Sequence, residues 1–328
     1  MARHGSRNKR YPSKGAYRDH ECCLISPGGT QARLRVALVF PNTYYVGMSN
    51  LGFQLVYRLF ALHPDVHCER FFLPDPPGKG VGRPGTVHSI ESGASLSSFD
   101  CVAFSLSFES DYVNVIHVLS LAGIPALRSN RSPGEPLLAA GGVAVSMNPE
   151  PLADLFDLFM VGEAEAVLPD FIDRALESLP HGRSRGLQAA DFENIAGVYA
   201  PGRVRPEFDG QRMVGMQGAE RAGLPVAGRR PDDLDTCYGS SCIVTPYTQF
   251  ADMARVEVSR GCPRHCRFCA VGSLYPPYRR RSLECLVAEV EPILQRGLKI
   301  GLLGAAVSDH PDLATLMRSI VERGGHVS

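Results

Sequence analysis

The sequence predicts an α/β protein that begins with a doubly wound parallel sheet. Apolar runs of strand length recur along the first half of the chain, for example at residues 34–40 and 66–73. Segments with helical spacing follow several of these runs, for example at residues 51–62. Strands that alternate with helices pair in parallel, and such sheets bind ligands beyond the carboxyl ends of their strands, where the strand order switches.

The predicted first domain covers residues 33–182. Its strands are expected at residues 34–40, 66–73, 100–106, 137–140 and 158–161, and its helices at residues 51–62, 112–122 and 164–179. Residues 183–252 hold shorter strand-like pieces, at 197–200 and 203–208, among glycine, proline and charged residues. We interpret this stretch as a linker with some β structure.

The last predicted segment, residues 253–328, has the order strand, loop, helix, strand. Residues 253–259 alternate like a strand, and Arg260-Gly261 leads directly into a loop that carries three cysteines. Ser282 is a predicted helix N-cap, and the apolar residues from 283 to 294 follow helical spacing. Residues 298–303 are apolar on both faces, which is typical of an interior parallel strand.

The three cysteines of this loop, Cys262, Cys266 and Cys269, form a C-x3-C-x2-C pattern. Such a loop can direct three thiolates at one metal centre. Iron–sulfur clusters are held by cysteine thiolates, and three protein ligands leave one iron of a [4Fe-4S] cluster open to a substrate or cosubstrate. Structural zinc is the alternative; it takes four ligands, and His265 or Cys285 could supply the fourth.

The other cysteines predict no disulfide framework. Ten cysteines in 328 residues fall below the density of a secreted scaffold, and this usage without a signal peptide predicts a cytoplasmic protein. Cys237 and Cys242 are either a second metal site or two unassigned thiols, and we favour the thiols.

The cysteine loop and its surroundings resemble the radical S-adenosylmethionine (radical SAM) superfamily, including the aromatic Phe268 just before the third cysteine. The resemblance implies that residues 253–328 are the first part of a radical SAM (β/α) barrel. It implies a [4Fe-4S] cluster on Cys262, Cys266 and Cys269 whose open iron chelates S-adenosylmethionine. Reductive cleavage would then yield a 5′-deoxyadenosyl radical that abstracts a hydrogen from an unknown substrate. An electron donor such as a flavodoxin or ferredoxin is the implied partner.

Further site residues are assigned by the same resemblance. Phe268 is expected either to pack near the adenine or to shield the cluster from solvent, and Gly304 to allow a close backbone approach to the methionine amino group. The run Arg279-Arg280-Arg281 could hold the methionine carboxylate or an anionic substrate, or be a solvated basic run. Asp309-His310 could face substrate, or could cap the helix that starts near Pro311.

The first domain resembles the cobalamin-binding-type, Rossmann-type domain that precedes the barrel in one branch of this superfamily. The matching features are Gly141-Gly142, the segment 147–150 and the segment 161–165. Where cobalamin domains place an Asp-x-His-x-x-Gly motif, this chain has Tyr44 at the histidine position. A phenol with a pKa of about 10 is a poor cobalt ligand, so cobalamin either binds without a protein histidine or does not bind.

Composition limits the partners. Lys+Arg and Asp+Glu are both 34, so net charge indicates neither nucleic acid nor a membrane surface as partner, and no apolar run is long enough to cross a bilayer. Residues 1–32 include a basic start without apolar periodicity, which predicts a disordered tail.

The length after the cysteine loop bears on activity. Only 59 residues follow Cys269, which predicts that the chain stops within the barrel. The alternative to an enzyme is therefore a truncated or degenerate non-catalytic protein that binds a cluster or a partner.

Overall fold

A computed structural model describes residues 17–28, 32–75, 86–179, 186–218, 226–264 and 266–328. Its centre is a six-stranded sheet in the order β2-β1-β3-β4-β5-β6, in which only β6 is antiparallel to its neighbour. The strands of this sheet are β1 Leu34–Thr43, β2 Val66–Leu73, β3 Cys101–Ser105, β4 Leu137–Gly141, β5 Leu158–Met160 and β6 Val198–Tyr199.

Helices cover both faces of the sheet, as the sequence predicts. The described part of this module has five helices: α1 Tyr44–Met48, α2 Leu51–Ala61, α3 Tyr112–Ala122, α4 Val143–Met147 and α5 Ala164–Ser178. The side chains of α2 and α5 pack on one face, around Phe53 and Phe171. Those of α3 pack on the other face, around Val118. The order 2-1-3-4-5 is a common doubly wound arrangement whose ligand crevice lies between the first and third strands.

Part of the predicted tail is ordered. The prediction of disorder through residue 32 is wrong for residues 17–28, because Tyr17 is buried against the core and Cys22–Cys23 pairs antiparallel with Ile243–Val244. Glu21 accepts hydrogen bonds of 2.8 Å from Arg70 of β2. This segment is ordered by a contact with a residue 49 positions away, so its order could not be predicted from its own composition.

The described residues between the sheet and the cysteine loop contain little regular structure. Its longest element is an exposed hairpin of Arg205–Asp209 with Arg212–Gln217. Gln54 of α2 accepts backbone hydrogen bonds of 3.1 Å from Cys242 and Ile243, which ties the stretch to the first module.

The C-terminal module repeats the strand–helix pattern. Strand β7, Met253–Glu257, pairs in parallel with β8, Lys299–Leu303, and Val327 begins a further parallel contact beside Ile300. Three helices belong to it: α6 Val271–Leu274, α7 Leu283–Leu294 and α8 Leu313–Glu322. The hydroxyl of Ser282 accepts a hydrogen bond from the backbone N–H of Cys285, so the predicted N-cap is confirmed.

Candidate functional site

The cysteine loop begins at the carboxyl end of β7. The pair Ser259–Arg260, which runs antiparallel to Arg279–Arg280, leads into it. Gly261 follows with a φ of +80°, and a side chain there would collide with the carbonyl oxygen of Tyr275, so this position needs glycine. The chain therefore turns sharply just before the first cysteine.

The three thiols lie on the surface side of this turn. Cys262 is half-buried, Cys266 and Cys269 are exposed, and none is in a disulfide. The backbone N–H of Cys269 donates to the carbonyl of Cys266 at 3.1 Å, which brings these two residues into one turn. His265, named as a zinc ligand above, lies outside the described residues.

The donor set fits an iron–sulfur cluster better than zinc. Among the residues the structure describes, no three histidine, cysteine or acidic side chains are arranged to hold a metal ion, so the choice between the two metals rests on the chemistry of the donors. Cys285, the other proposed zinc ligand, lies in the first turn of α7, where burial raises the pKa of its thiol. Three free thiols within eight residues supply the soft ligands that iron–sulfur clusters use.

The two residues expected to contact cofactor have different surroundings. The side chain of Phe268 is 93% exposed, so it packs against nothing in the described chain. At Gly304, just after β8, an added Cβ would stand 2.8 Å from the hydroxyl oxygen of Ser259. That hydroxyl is buried and finds no hydrogen-bond partner within the described residues. Gly304 thus keeps open a narrow space beside an unused polar group.

Asp309 and His310 make different contacts, and only those of His310 match a role considered for the pair, at the start of the helix. The guanidinium of Arg264, inside the cysteine loop, donates to the Asp309 carboxylate at 2.7 Å, so Asp309 ties the loop to the segment after β8. His310 is buried; its Nε2 donates to the Arg281 carbonyl at 2.9 Å and its Nδ1 accepts from the backbone N–H of Asp312 at 3.2 Å. His310 therefore serves the start of α8.

Arg260 is held by three carboxylates. It lies 2.5 Å from Glu163, 2.8 Å from Glu165 and 2.8 Å from Glu257, and all four side chains are largely buried. Burial disfavours the charged form of Glu165, but the neighbouring Arg260 outweighs burial and lowers the pKa of that carboxyl. The sequence analysis named the segment 161–165 only as a feature shared with cobalamin-binding-type domains. In the structure its two glutamates bind Arg260, two positions before Cys262.

The basic run is mostly structural. Arg279 is buried and pairs with Glu163, while Arg281 is fully buried and donates to the carbonyls of Leu234, Cys237 and Tyr238. The expectation of a solvated run is wrong for these two arginines, since only Arg280 is exposed.

A cavity of about 520 Å³ opens between the two modules. One wall is the carboxyl edge of the sheet, including Gly141-Gly142 and Ser105, and the other includes Ser259 and Gly304. Gly142 has a φ of +113°, and a side chain there would collide with the Leu106 carbonyl. The cavity lies where the doubly wound topology predicts a ligand.

Two family models match the chain. The model described as radical SAM proteins, N-terminal, matches residues 52–201, and the model of the radical SAM superfamily matches residues 256–328. The second match contains the whole cysteine loop. The chain belongs to the radical SAM superfamily.

Curated relatives extend this result. An uncharacterised protein of Methanocaldococcus jannaschii is 26% identical over 297 residues, which is 89% of this chain and 54% of that protein. A ribosomal protein uS12 methylthiotransferase RimO of Pelobacter propionicus is 36% identical over 78 residues, covering 21% of this chain and 17% of the relative. A tRNA-2-methylthio-N(6)-dimethylallyladenosine synthase of Rhodopirellula baltica is 28% identical over 120 residues, covering 35% and 24%. The chain spans about half the length of the first of these relatives and less of the others.

Membership in the radical SAM superfamily implies a [4Fe-4S] cluster and S-adenosylmethionine, but Tyr44, at the histidine position of the cobalamin motif, is not suited to bind cobalt. The Tyr44 phenol is buried, stacks on Tyr17 at 4.0 Å between ring centroids and donates to Glu21 at 2.5 Å. Burial and the Glu21 charge raise the pKa of Tyr44, so a cobalt-binding phenolate is further disfavoured. Tyr44 is a core residue of this radical SAM protein.

Two remaining expectations concern the described part of the chain. Cys242 is fully buried with its thiol 3.3 Å from the Gln54 carbonyl, whereas Cys237 is half-buried, so they do not form a second metal site there. No helix within the described residues is long and apolar enough to span a membrane.

Proposed function

We propose that this chain carries the S-adenosylmethionine-cleaving centre of a radical SAM enzyme, with Cys262, Cys266 and Cys269 as the ligands of a [4Fe-4S] cluster. The observation that carries the proposal is the loop of three free thiols at the carboxyl end of β7, within the segment that the superfamily model matches. When bound, the cluster would supply the electron that cleaves S-adenosylmethionine to a 5′-deoxyadenosyl radical for hydrogen abstraction from a substrate.

The protein's own contribution is placement. Arg260 and its three carboxylates hold the strand that leads into the loop, and the Arg264–Asp309 pair connects the loop to the segment after β8. Gly304 leaves room for the backbone to approach the amino group of S-adenosylmethionine. The exposed loop is also open to a one-electron donor such as a flavodoxin or ferredoxin.

The proposal stops short of a named overall reaction. The relatives with named reactions are methylthiotransferases, and the two described above share only 21% and 35% of this chain. For that reason the proposal does not include methylthio transfer. It does not include cobalamin either, because Tyr44 is committed to Glu21 and Tyr17.

Cleavage of S-adenosylmethionine tests the proposal. The protein would be reconstituted with iron and sulfide without oxygen, reduced with dithionite and incubated with S-adenosylmethionine, and 5′-deoxyadenosine would be measured by chromatography. We expect 5′-deoxyadenosine and methionine in equal amounts. A protein that takes up iron and sulfide but releases no 5′-deoxyadenosine would instead support the non-catalytic, cluster-binding alternative.

A further inference from the structure

The cysteine loop is closed at its base. Residues 261–278 leave and return through a short antiparallel pair, Ser259–Arg260 with Arg279–Arg280, which we call the neck of the loop. Gly261 packs closely inside the neck, because a Cβ added there would lie 2.4 Å from the carbonyl oxygen of Tyr275. Because the loop starts and ends at the neck, contacts that hold the neck help to place the three cysteines.

Two buried guanidinium groups lie at the neck. Arg260 and Arg279 are partners across its two strands, and their side chains are only 10% and 8% exposed. Like charges on opposite residues of paired strands destabilise the pairing, and a buried charge needs a counter-charge. The neck therefore depends on the carboxylates that bind these two arginines.

A single carboxylate of the first module binds both arginines. Oε2 of Glu163 accepts hydrogen bonds from Arg260 at 2.5 Å and from Arg279 at 3.1 Å, and its Oε1 accepts a second one from Arg279. Glu163 precedes the two arginines by 97 and 116 positions, and its side chain is only 4% exposed. One residue of the first module thus holds both ends of the cysteine loop.

The two arginines depend on Glu163 unequally. Arg260 has two further carboxylate partners. Within the described part of the chain, Glu163 is the sole carboxylate partner of Arg279, whose other acceptors are backbone carbonyls. Loss of the Glu163 charge would leave Arg279 buried without a counter-charge, which is strongly destabilising. The strand that leaves the loop would then separate from the neck to expose this guanidinium to water.

The backbone fixes the place of Glu163. Its N–H donates to the carbonyl of Arg229 at 2.7 Å. The preceding Gly162 has a φ of +112°, and a side chain there would collide with the same carbonyl. Glu163 then leads into α5, whose side chains pack in the core of the first module. The carboxylate is therefore presented to the neck from a rigid support.

We propose that Glu163 is a positioning residue for the cysteine loop: its charge keeps the neck closed and fixes the loop relative to the first module. Glu163 acts through the two arginines and not as a metal ligand. The consequence for catalysis rests on the proposed function, because a displaced loop would no longer present its three cysteines towards the end of β8, where Gly304 lies. The first module is thus part of the S-adenosylmethionine-cleaving centre.

Hydrogen exchange of the full chain, without iron, tests the state of the neck. Glu163→Gln keeps the size of the side chain and removes its charge. Backbone amides of residues 258–260 and 279–281 should exchange at least about tenfold faster in this variant, because the neck opens locally. Amides of the central strands β1 and β3 should exchange as in the wild type.

The control for hydrogen exchange is Asp157→Asn. Asp157 pairs with Arg131 elsewhere in the first module, so its loss should leave exchange at the neck unchanged. Wild-type exchange at the neck of Glu163→Gln, or an equal acceleration in β1 and β3, would overturn the inference. Should Glu163→Gln not fold, Glu163→Asp decides by the same pattern, since it keeps the charge but is one methylene shorter.

The reconstituted protein tests the consequence for the reaction. Iron content should be the same in Glu163→Gln and in the wild type, because the three cysteines are unchanged. Release of 5′-deoxyadenosine at saturating S-adenosylmethionine should be at least about tenfold slower, as expected for a misplaced reacting group. Glu163→Asp should recover part of this rate, because it retains the charge. A wild-type rate in Glu163→Gln, or no recovery in Glu163→Asp, would refute the positioning role.

The outcomes separate this inference from the proposed function. The exchange measurement needs neither cluster nor S-adenosylmethionine. A wild-type protein that cleaves no S-adenosylmethionine, but whose neck opens in Glu163→Gln, would remove the proposed function and leave the structural role of Glu163 in place. Cleavage by the wild type, with a neck and a rate that Glu163→Gln does not change, would remove the positioning role alone.

Discussion

The cysteine loop and the interface between the two modules are held in place by different kinds of contact. The loop is exposed and is held by a single backbone turn and by the surface pair of Arg264 with Asp309. The interface between the modules is largely buried. It is held by Arg260 with its carboxylates and by Arg255, which donates to the carbonyls of Met48 and Ser49. Covalent spacing keeps the three cysteines within one short loop, whereas distant contacts decide where the loop is placed.

The largest expected effect concerns the loop itself. Cys266→Ala removes one of three thiolate ligands, so the reconstituted protein should fall from about four irons per chain to a small fraction of that. Cys23→Ala is the matched control, because Cys23 is also exposed. Iron and sulfide analysis with electron paramagnetic resonance checks both variants. Equal loss in the two variants would mean that the loop has no special part in iron binding.

The second prediction concerns a substitution at the interface between the two modules. Arg255 is buried without a carboxylate partner among the described residues, and burial lowers the pKa of its guanidinium to about 10. It binds carbonyls at the end of α1, where a helix attracts positive charge. Arg255→Met should cost about 3 kcal/mol of unfolding free energy, because the buried Met48 carbonyl and the partly buried Ser49 carbonyl lose a charged donor.

Urea unfolding followed by circular dichroism measures this cost. The control is Arg212→Met, in the exposed hairpin. A loss no larger than that of the control would show that Arg255 does not hold the modules together.

The third prediction concerns pH. Because Arg260 lowers the pKa of Glu165 below its ordinary value of 4.5, ionised Glu165 stabilises the folded chain above that pH. This contribution is lost as the pH falls through the lower, folded-state pKa. Glu165→Gln should therefore destabilise the protein by about 1–3 kcal/mol at pH 7, because Arg260 loses one of its three charged acceptors.

Below pH 4.5 the unfolding free energies of Glu165→Gln and of the wild type should converge. Urea unfolding at pH 7 and at several lower values measures both curves. Parallel curves over the whole range would contradict the role of the Glu165 charge.

The smallest effect is expected for the Arg264–Asp309 ion pair, which connects the cysteine loop to the segment after β8. Arg264 is exposed, so Asp309→Asn should leave the midpoint of thermal unfolding unchanged within error, as is usual for surface ion pairs. Differential scanning fluorimetry measures the midpoint. A decrease in the unfolding midpoint as large as that caused by Glu165→Gln would mean that the loop is held as firmly as the interface between the modules.

The features that could be predicted from the sequence are those that local residue patterns determine. Strand β2, helix α3 and the Ser282 cap occur where periodicity and capping residues indicate them. The three cysteines are recognisable because their ligand spacing is local. These features need only residues that are neighbours along the chain.

The features that sequence reasoning missed depend on distant residues. Glu21 is ordered through Arg70, and Glu163 meets Arg279 at a separation of 116 residues. A run of three arginines is typical of solvent exposure, so burial of Arg279 and Arg281 could be found only once their acidic and carbonyl partners were placed. The cavity is likewise a product of how the modules pack.

The metal in the cysteine loop is the most direct test of the account. Protein expressed and purified without oxygen, and not reconstituted, would be analysed for iron, sulfide and zinc, with Mössbauer spectroscopy on iron-57-labelled cells. The account predicts iron and sulfide in near-equal amounts and the spectrum of a [4Fe-4S] cluster, lost in the Cys262→Ala variant. Zinc bound in place of iron would contradict it.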